Sequence, residues 1–236
     1  DPNATRGTFN LSLYGKYGLS DAWDVIAYIP FFVKTYQNHQ ASSITSETVL
    51  EGEEHTSFGD MNLGVVYRLF KKSKHAFSAA LTLGIPSGDS NGGSDGSYQT
   101  GDGEFNQELR FNAGTSFKVS KHPFYAKGFL GFNNRTEGFS DELKFGFETG
   151  TGLFKNRLLL LLRSNIVKSQ KNGSLSAANS DGSIFANNVE FISIGGAVAW
   201  KFTKKIGLSF AYSSAVSGRV IYAAPSYSAG VFYLLK

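Results

Sequence analysis

The sequence predicts an all-β fold: a single antiparallel sheet of long strands, closed into a barrel, that takes residues 1–236 as one domain. Three observations predict it. Apolar residues recur with a period of two along most of the chain, short turns alternate with long polar loops, and the face opposite the apolar one is built of small and polar residues.

The first strand sets Phe9, Leu11, Leu13, Tyr17 and Leu19 against Asn10, Ser12, Lys16 and Gly18. After Ser20-Asp21-Ala22 the parity resumes at Trp23, Val25, Ala27, Ile29, Phe31 and Val33. Leu63, Val65, Tyr67 and Leu69 follow, then Phe77, Ala79, Leu81, Leu83 and Ile85. The clearest alternation sets Leu109, Phe111, Ala113, Phe117 and Val119 against Glu108, Arg110, Asn112, Gly114, Ser116 and Lys118. Further strands run from Phe124 to Phe132, Leu143 to Leu153, Leu158 to Val167, Ile192 to Phe202, Leu208 to beyond Tyr212, and Tyr227 to Leu235. A helix produces no such period. Eleven strands are expected, and no linker or composition break suggests a second domain.

Alternation does not say which face meets water. A soluble barrel of more than about eight strands is too wide for side chains to fill, and sandwich strands average about 5–6 residues, shorter than most of these. The polar face carries Gly, Ala, Ser, Asn and Thr rather than dense Lys and Glu. A transmembrane barrel with an apolar exterior, a polar interior, tight turns on one rim and long loops on the other accounts for all of this. Tyr17, Trp23, Phe70, Phe77, Phe117, Phe124, Phe154, Trp200, Phe202 and Tyr233 lie beside the short turns, as an interfacial aromatic girdle requires. Charge sorts by rim. Lys71, Lys72, Lys74, Lys121, Lys155, Arg157, Lys204 and Lys205 occupy short turns, while Glu47, Glu51, Glu53, Glu54, Asp89, Asp95, Asp102, Glu104, Glu137, Asp141 and Asp181 occupy long loops.

Single-chain bacterial barrels close with an even strand count. The first and last strands both run toward the short-turn side, so a twelfth, oppositely directed strand is expected upstream of Asp1. Twelve strands are then expected in the intact protein, eleven of them visible here. Asp1, Pro2 and Asn3 open the chain with neither a basic nor an apolar leader region.

Composition narrows the function. No uninterrupted apolar run exceeds five residues, as in Leu158 to Leu162, which excludes a transmembrane helix of roughly 20 residues. The chain has no Cys, so disulfides and thiolate metal sites are excluded. The net charge of +4 comes from lysines spread over separate turns without interleaved aromatics, so no nucleic-acid partner is expected. The four histidines, His39, His55, His75 and His122, show no spacing with an activated partner, and neither an enzyme nor a cofactor is expected.

Leu83-Gly84-Ile85-Pro86-Ser87-Gly88-Asp89, then Gly101-Asp102-Gly103-Glu104-Phe105-Asn106, together with Tyr17-Gly18-Leu19-Ser20-Asp21-Ala22-Trp23 and Phe58-Gly59-Asp60-Met61, are the most distinctive segments. With them the chain resembles, over nearly its whole length, the outer-membrane family named for the MetA pathway of phenol degradation. The resemblance implies a small barrel for uptake of small, aromatic or apolar compounds, with no catalytic residues to carry over. Asp89, Asp95, Asp102 and Glu104 offer hard oxygens among glycines, as a Ca²⁺ site requires, but their spacing matches no EF-hand and a plain surface loop is the expectation.

Strand parity aims Lys16, Arg68, Glu108, Arg110, Lys127, Glu142, Lys144, Glu148 and Arg163 inward as pore-lining charges of both signs. The expected function is an outer-membrane channel for small molecules, with long loops extracellular and short turns periplasmic in a Gram-negative bacterium. The alternative is an accessory barrel with an occluded lumen in a larger complex, docking through small residues such as Gly195, Gly196, Ala197 and Ala199. The expected partners are membrane lipid, lipopolysaccharide, small solutes and, for the alternative, other outer-membrane proteins.

Overall fold

The computed structural model describes residues 5–42, 44–176, 184–221 and 224–235. Asp181, counted above among the long-loop acids, lies outside them. Among the described residues every regular element is a strand, and no helix is long and apolar enough to cross a membrane.

The chain forms one antiparallel sheet of twelve strands and a small separate hairpin. In chain order the elements are β1 (Arg6–Gly18), β2 (Trp23–Gln37), the hairpin β3 (Gln40–Ala41) and β4 (Thr48–Leu50), β5 (Glu53–Ser57), β6 (Met61–Lys72), β7 (His75–Ile85) and β8 (Asn106–Val119). Then come β9 (His122–Arg135), β10 (Glu142–Leu153), β11 (Leu158–Ser169), β12 (Glu190–Lys201), β13 (Ile206–Arg219) and β14 (Ser226–Tyr233). Each long strand pairs with its sequence neighbour, so every connection is a hairpin, short at one end of the sheet and long at the other.

Two local irregularities depart from the sequence reading, and both trace to residues that disturb a ladder. Pro30 has no N–H to donate. The register between β1 and β2 shifts there, with Leu11 facing Phe32 and Leu13 facing Ile29, so β2 carries one extra residue. The bulge reverses the parity of everything after it. Val33, expected on the apolar outer face, is 3% exposed instead; it shares a face with Thr35, whose hydroxyl donates to the Gln99 carbonyl at 2.8 Å. Phe32 takes the outer face and meets the Phe9 ring edge-on.

The second irregularity is an added strand: β5, which includes Glu53 and Glu54, forms where the sequence predicts a long loop. β5 pairs with the upper part of β2 and β6 with the lower part, separated by Phe58-Gly59-Asp60. Gly59 donates its N–H to the Pro30 carbonyl at 2.8 Å. A Cβ at Gly59 would sit 2.8 Å from side-chain carbons of both Pro30 and Val33, so glycine permits the approach that seats the bulge. The eleven expected strands thus correspond to eleven positions across the sheet, with β5 and β6 sharing one.

The sheet runs from β1 at one edge to β14 at the other, and no ladder joins the two edges among the described residues. Both edge strands run toward the short turns. At that end Leu235 lines an apolar depression together with Gly15, Lys16 and Tyr17 of β1.

The two faces are inverted relative to a water-soluble fold. Only six apolar residues are buried among the described residues, while Leu109, Phe111, Phe147, Leu162, Ile194, Phe210 and their same-face neighbours are exposed. Beside Val33, Ala80 and Ala199, the large sheet buries polar or charged side chains: Thr35, Glu108, Asn133, Glu142, Glu148 and Ser169. Near the short turns the exposed face carries aromatic pairs across neighbouring strands: Trp23–Tyr67 at 4.6 Å, Phe70–Phe77 at 6.0 Å, Phe117–Phe124 at 5.9 Å and Phe154–Trp200 at 6.4 Å. The small-residue patch expected on that face is not one. Gly195 pairs with Arg163 and Gly196 with Leu162, so consecutive residues alternate, and Ala199 is buried on the charged side.

Candidate functional site

Residues directly opposite on neighbouring strands share a face, so the register places each charged residue. Lys127, Glu148 and Arg163 are direct cross-strand partners. Glu108 and Glu142 both flank Asn133, and Arg110 and Lys144 both flank Gly131. Lys16 reaches the same face through Ile26, Gly64 and Thr82, which faces Glu108. Arg68 reaches it through Ser78, which faces Asn112. All nine predicted charges therefore lie on one face, the polar one.

The structure joins seven of them into two ion-pair series. In the first, Glu148 accepts from Arg163 Nε at 2.5 Å, lies 3.0 Å from Lys127 Nζ and accepts from the Tyr125 hydroxyl at 2.5 Å. In the second, Arg110 pairs with Glu108, Glu108 with Lys144 at 3.3 Å, Lys144 with Glu142 at 3.2 Å, and Glu142 with Arg135 at 3.1 Å. Lys16 pairs instead with Asp24 at 3.0 Å, near the short turns. Arg68 has no ion-pair partner among the described residues.

Between the two series lies a cavity of about 320 Å³ lined chiefly by Arg110, Asn112, Lys127, Phe129, Glu148, Arg163 and Asn165. Phe129 lies across Gly146: a Cβ there would stand 2.0 Å from the ring. Its other side is capped by the Arg110 guanidinium, 4.0 Å from the ring centroid, a cation–π contact that fixes the arginine over the cavity.

Above the cavity, the loop of residues 86–105 folds onto the polar face. Toward one side it packs on β1 and β2, where Arg6 lies 5.0 Å over the Tyr98 ring and Thr35 bonds Gln99. Below it, the Asp60 carboxylate accepts the N–H groups of Gly88 at 2.9 Å and Asp102 at 2.8 Å. Toward the other side Arg135 holds three carboxylates at once: Glu104 at 2.6 Å, Asp102 at 2.9 Å and Glu142 at 3.1 Å. Glu104, almost completely buried, also accepts the Thr136 N–H at 2.9 Å.

One guanidinium cannot neutralise this group. Burial, and secondly the charge of Glu104, push the Asp102 carboxyl up to about 7, against the opposing pull of Arg135. On the other side of Arg135, Asp141 shows the opposite balance. Burial raises it, but hydrogen bonds from Asn172, the Arg135 N–H and Asn134 prevail and hold it below the usual carboxylate range.

The four residues considered for calcium do not converge. Asp89 lies 2.9 Å from His55 Nε2, Asp95 accepts the Ser97 N–H, and Asp102 and Glu104 engage Arg135. No group of three or more His, Cys, Asp or Glu side chains placed to hold a metal ion occurs among the described residues. Two histidine–carboxylate contacts occur among them, His55–Asp89 at 2.9 Å and His39–Glu51 at 3.5 Å.

Arg135, one of the two anchors of the loop, is not among the charges selected from the sequence, and Asp60 enters there only within the segment Phe58-Gly59-Asp60-Met61. Arg135 continues the inward parity of Lys127, Phe129, Gly131 and Asn133, so the signal was present but the strand was ended too early. A scan against protein-family models and a search of curated proteins return no match for the chain.

Proposed function

We propose that the chain forms the wall of an outer-membrane β-barrel that passes small solutes along its charged face. The observation that carries this reading is the inversion of burial: the large apolar side chains are exposed while Glu108, Glu142 and Glu148 are withdrawn from solvent. Burying a Leu or Phe side chain stabilises by about 1.5–3 kcal/mol, so in water this face would forgo on the order of tens of kcal/mol. A hydrocarbon surround recovers it, and the charged face is then the one that encloses water.

Three further features support the reading. Full-length strands of about 12 residues rise roughly 40 Å, which at a tilt near 45° matches a hydrocarbon core of about 30 Å. The aromatic pairs sit at the height of one membrane interface, with the lysine-rich turns just beyond. Every long strand pairs antiparallel with its neighbour in sequence, the connectivity of an up-and-down barrel. The resemblance to the phenol-degradation outer-membrane family favours small organic molecules as the solutes.

The accessory-subunit reading has one observation in its favour: the loop of residues 86–105 lies over the polar face and is tethered on both sides. Reconstitution into planar bilayers and liposome swelling separate the two. The channel reading expects discrete conductance steps and swelling with small solutes only; the absence of flux at every potential, from protein whose folded state resists heat in gel electrophoresis, would sink it.

A further inference from the structure

We propose that the cavity between β8 and β11 on the polar face is a binding site for a small organic carboxylate, an inference that rests on this face being open to water. Three cations, Arg110, Lys127 and Arg163, line it against one carboxylate, Glu148. Glu148 does not exhaust them. Arg163 donates to it through Nε, and both terminal NH₂ groups of Arg163 are without a partner among the described residues. Those two groups form the planar fork that matches a carboxylate with two parallel hydrogen bonds. Arg110 turns Nε and Nη2 toward a single oxygen of Glu108, its guanidinium lies over the Phe129 ring, and Nη1 has no partner among the described residues.

The remaining lining fits the body of such a ligand. Asn165 and the Asn112 carbonyl oxygen supply neutral polar contacts, since the Asn112 amide nitrogen is used on Ser78 at 3.3 Å. A volume of about 320 Å³ is at the small end of ligand cavities, enough for an acid of about a dozen non-hydrogen atoms. A cationic ligand would face three like charges, and a neutral one would leave the Arg163 fork unpaired.

The test is equilibrium binding of sodium benzoate to the detergent-solubilised, folded protein, followed by saturation-transfer NMR, with benzylamine and benzyl alcohol as cationic and neutral counterparts. Benzoate is expected to bind saturably and the other two not. Arg163→Gln is expected to weaken benzoate by about tenfold or more, the loss that follows from removing hydrogen bonds to a charged group. Arg110→Gln carries the same expectation should Arg163→Gln fail to fold. Glu148→Gln, which removes the competing carboxylate, is expected to tighten binding, a gain no purely structural role produces. Lys204→Gln, in a short turn outside the polar face, is expected to leave it unchanged. Equal binding of all three compounds, or undiminished benzoate affinity in folded Arg163→Gln, would overturn the site. Benzoate binding without conductance would keep the site and remove the channel; conductance without saturable benzoate binding would do the reverse.

Discussion

Replacing Asp102 with Asn turns the anchor of the loop into a quantitative experiment. The Asp102 carboxyl is pushed up to about 7 by burial and by Glu104, against an ordinary value of 3.8. When the loop opens, the carboxyl returns to water and to its ordinary value. Between roughly pH 4 and 7 the closed state therefore holds a proton that the open state releases, and closure weakens as pH rises through that window. The slope is about 1.4 kcal/mol per pH unit, so the anchor loses on the order of 3 kcal/mol between pH 5 and 7 and changes little above. Asn does not titrate and resembles the protonated acid in shape. Protection of the Gly88 and Asp102 amides, both bonded to Asp60, is the readout, measured by hydrogen exchange and corrected for intrinsic rates. The wild-type protein is expected to lose protection steeply from pH 5 to 7, and Asp102→Asn to lose far less. Parallel profiles for the two proteins would refute the assignment of the proton to this cluster.

Other perturbations probe the faces separately. Gly146→Val places a carbon where the Phe129 ring lies, and is expected to displace the ring, release Arg110 and cost about 1–3 kcal/mol in urea unfolding from lipid vesicles. Ile194→Arg, at the middle of β12 on the exposed apolar face, is expected to cost about 2–4 kcal/mol in the same assay. Asn165→Arg, which faces Gly146 and lies at similar depth on the polar side, is expected to cost much less.

The strands were legible because a period of two survives wherever both faces have unlike surroundings, and β8 shows it from Leu109 to Val119. That the nine charges share the polar face followed from the same parity, since a ladder carries a face assignment from strand to strand without knowledge of any contact. What parity cannot register is a change of phase. Pro30 forces a bulge, so Val33 moves from the apolar face to the buried side. Gly195 and Ala197, read as part of a patch on the apolar face, lie on the polar face because Gly195 pairs with Arg163. The loop anchor was invisible for a different reason. Arg135 meets Asp102 and Glu104 across more than thirty residues of sequence, and nothing local marks a strand-end arginine as the partner of a loop carboxylate. The apparent calcium motif has the same origin: acids clustered in sequence are drawn to separate partners once the loop folds back.

The central claim is that the apolar face meets lipid while the charged face meets water. The chain has no native cysteine, so single cysteines at positions 109 to 113 of β8 can each carry a nitroxide label in proteoliposomes. Collision rates with oxygen, which partitions into lipid, and with a water-soluble nickel chelate then report the surroundings of each position. The account predicts strict alternation, with Leu109, Phe111 and Ala113 positions favouring oxygen and Arg110 and Asn112 positions favouring the chelate. Equal chelate access at all five, or alternation of opposite phase, would contradict it.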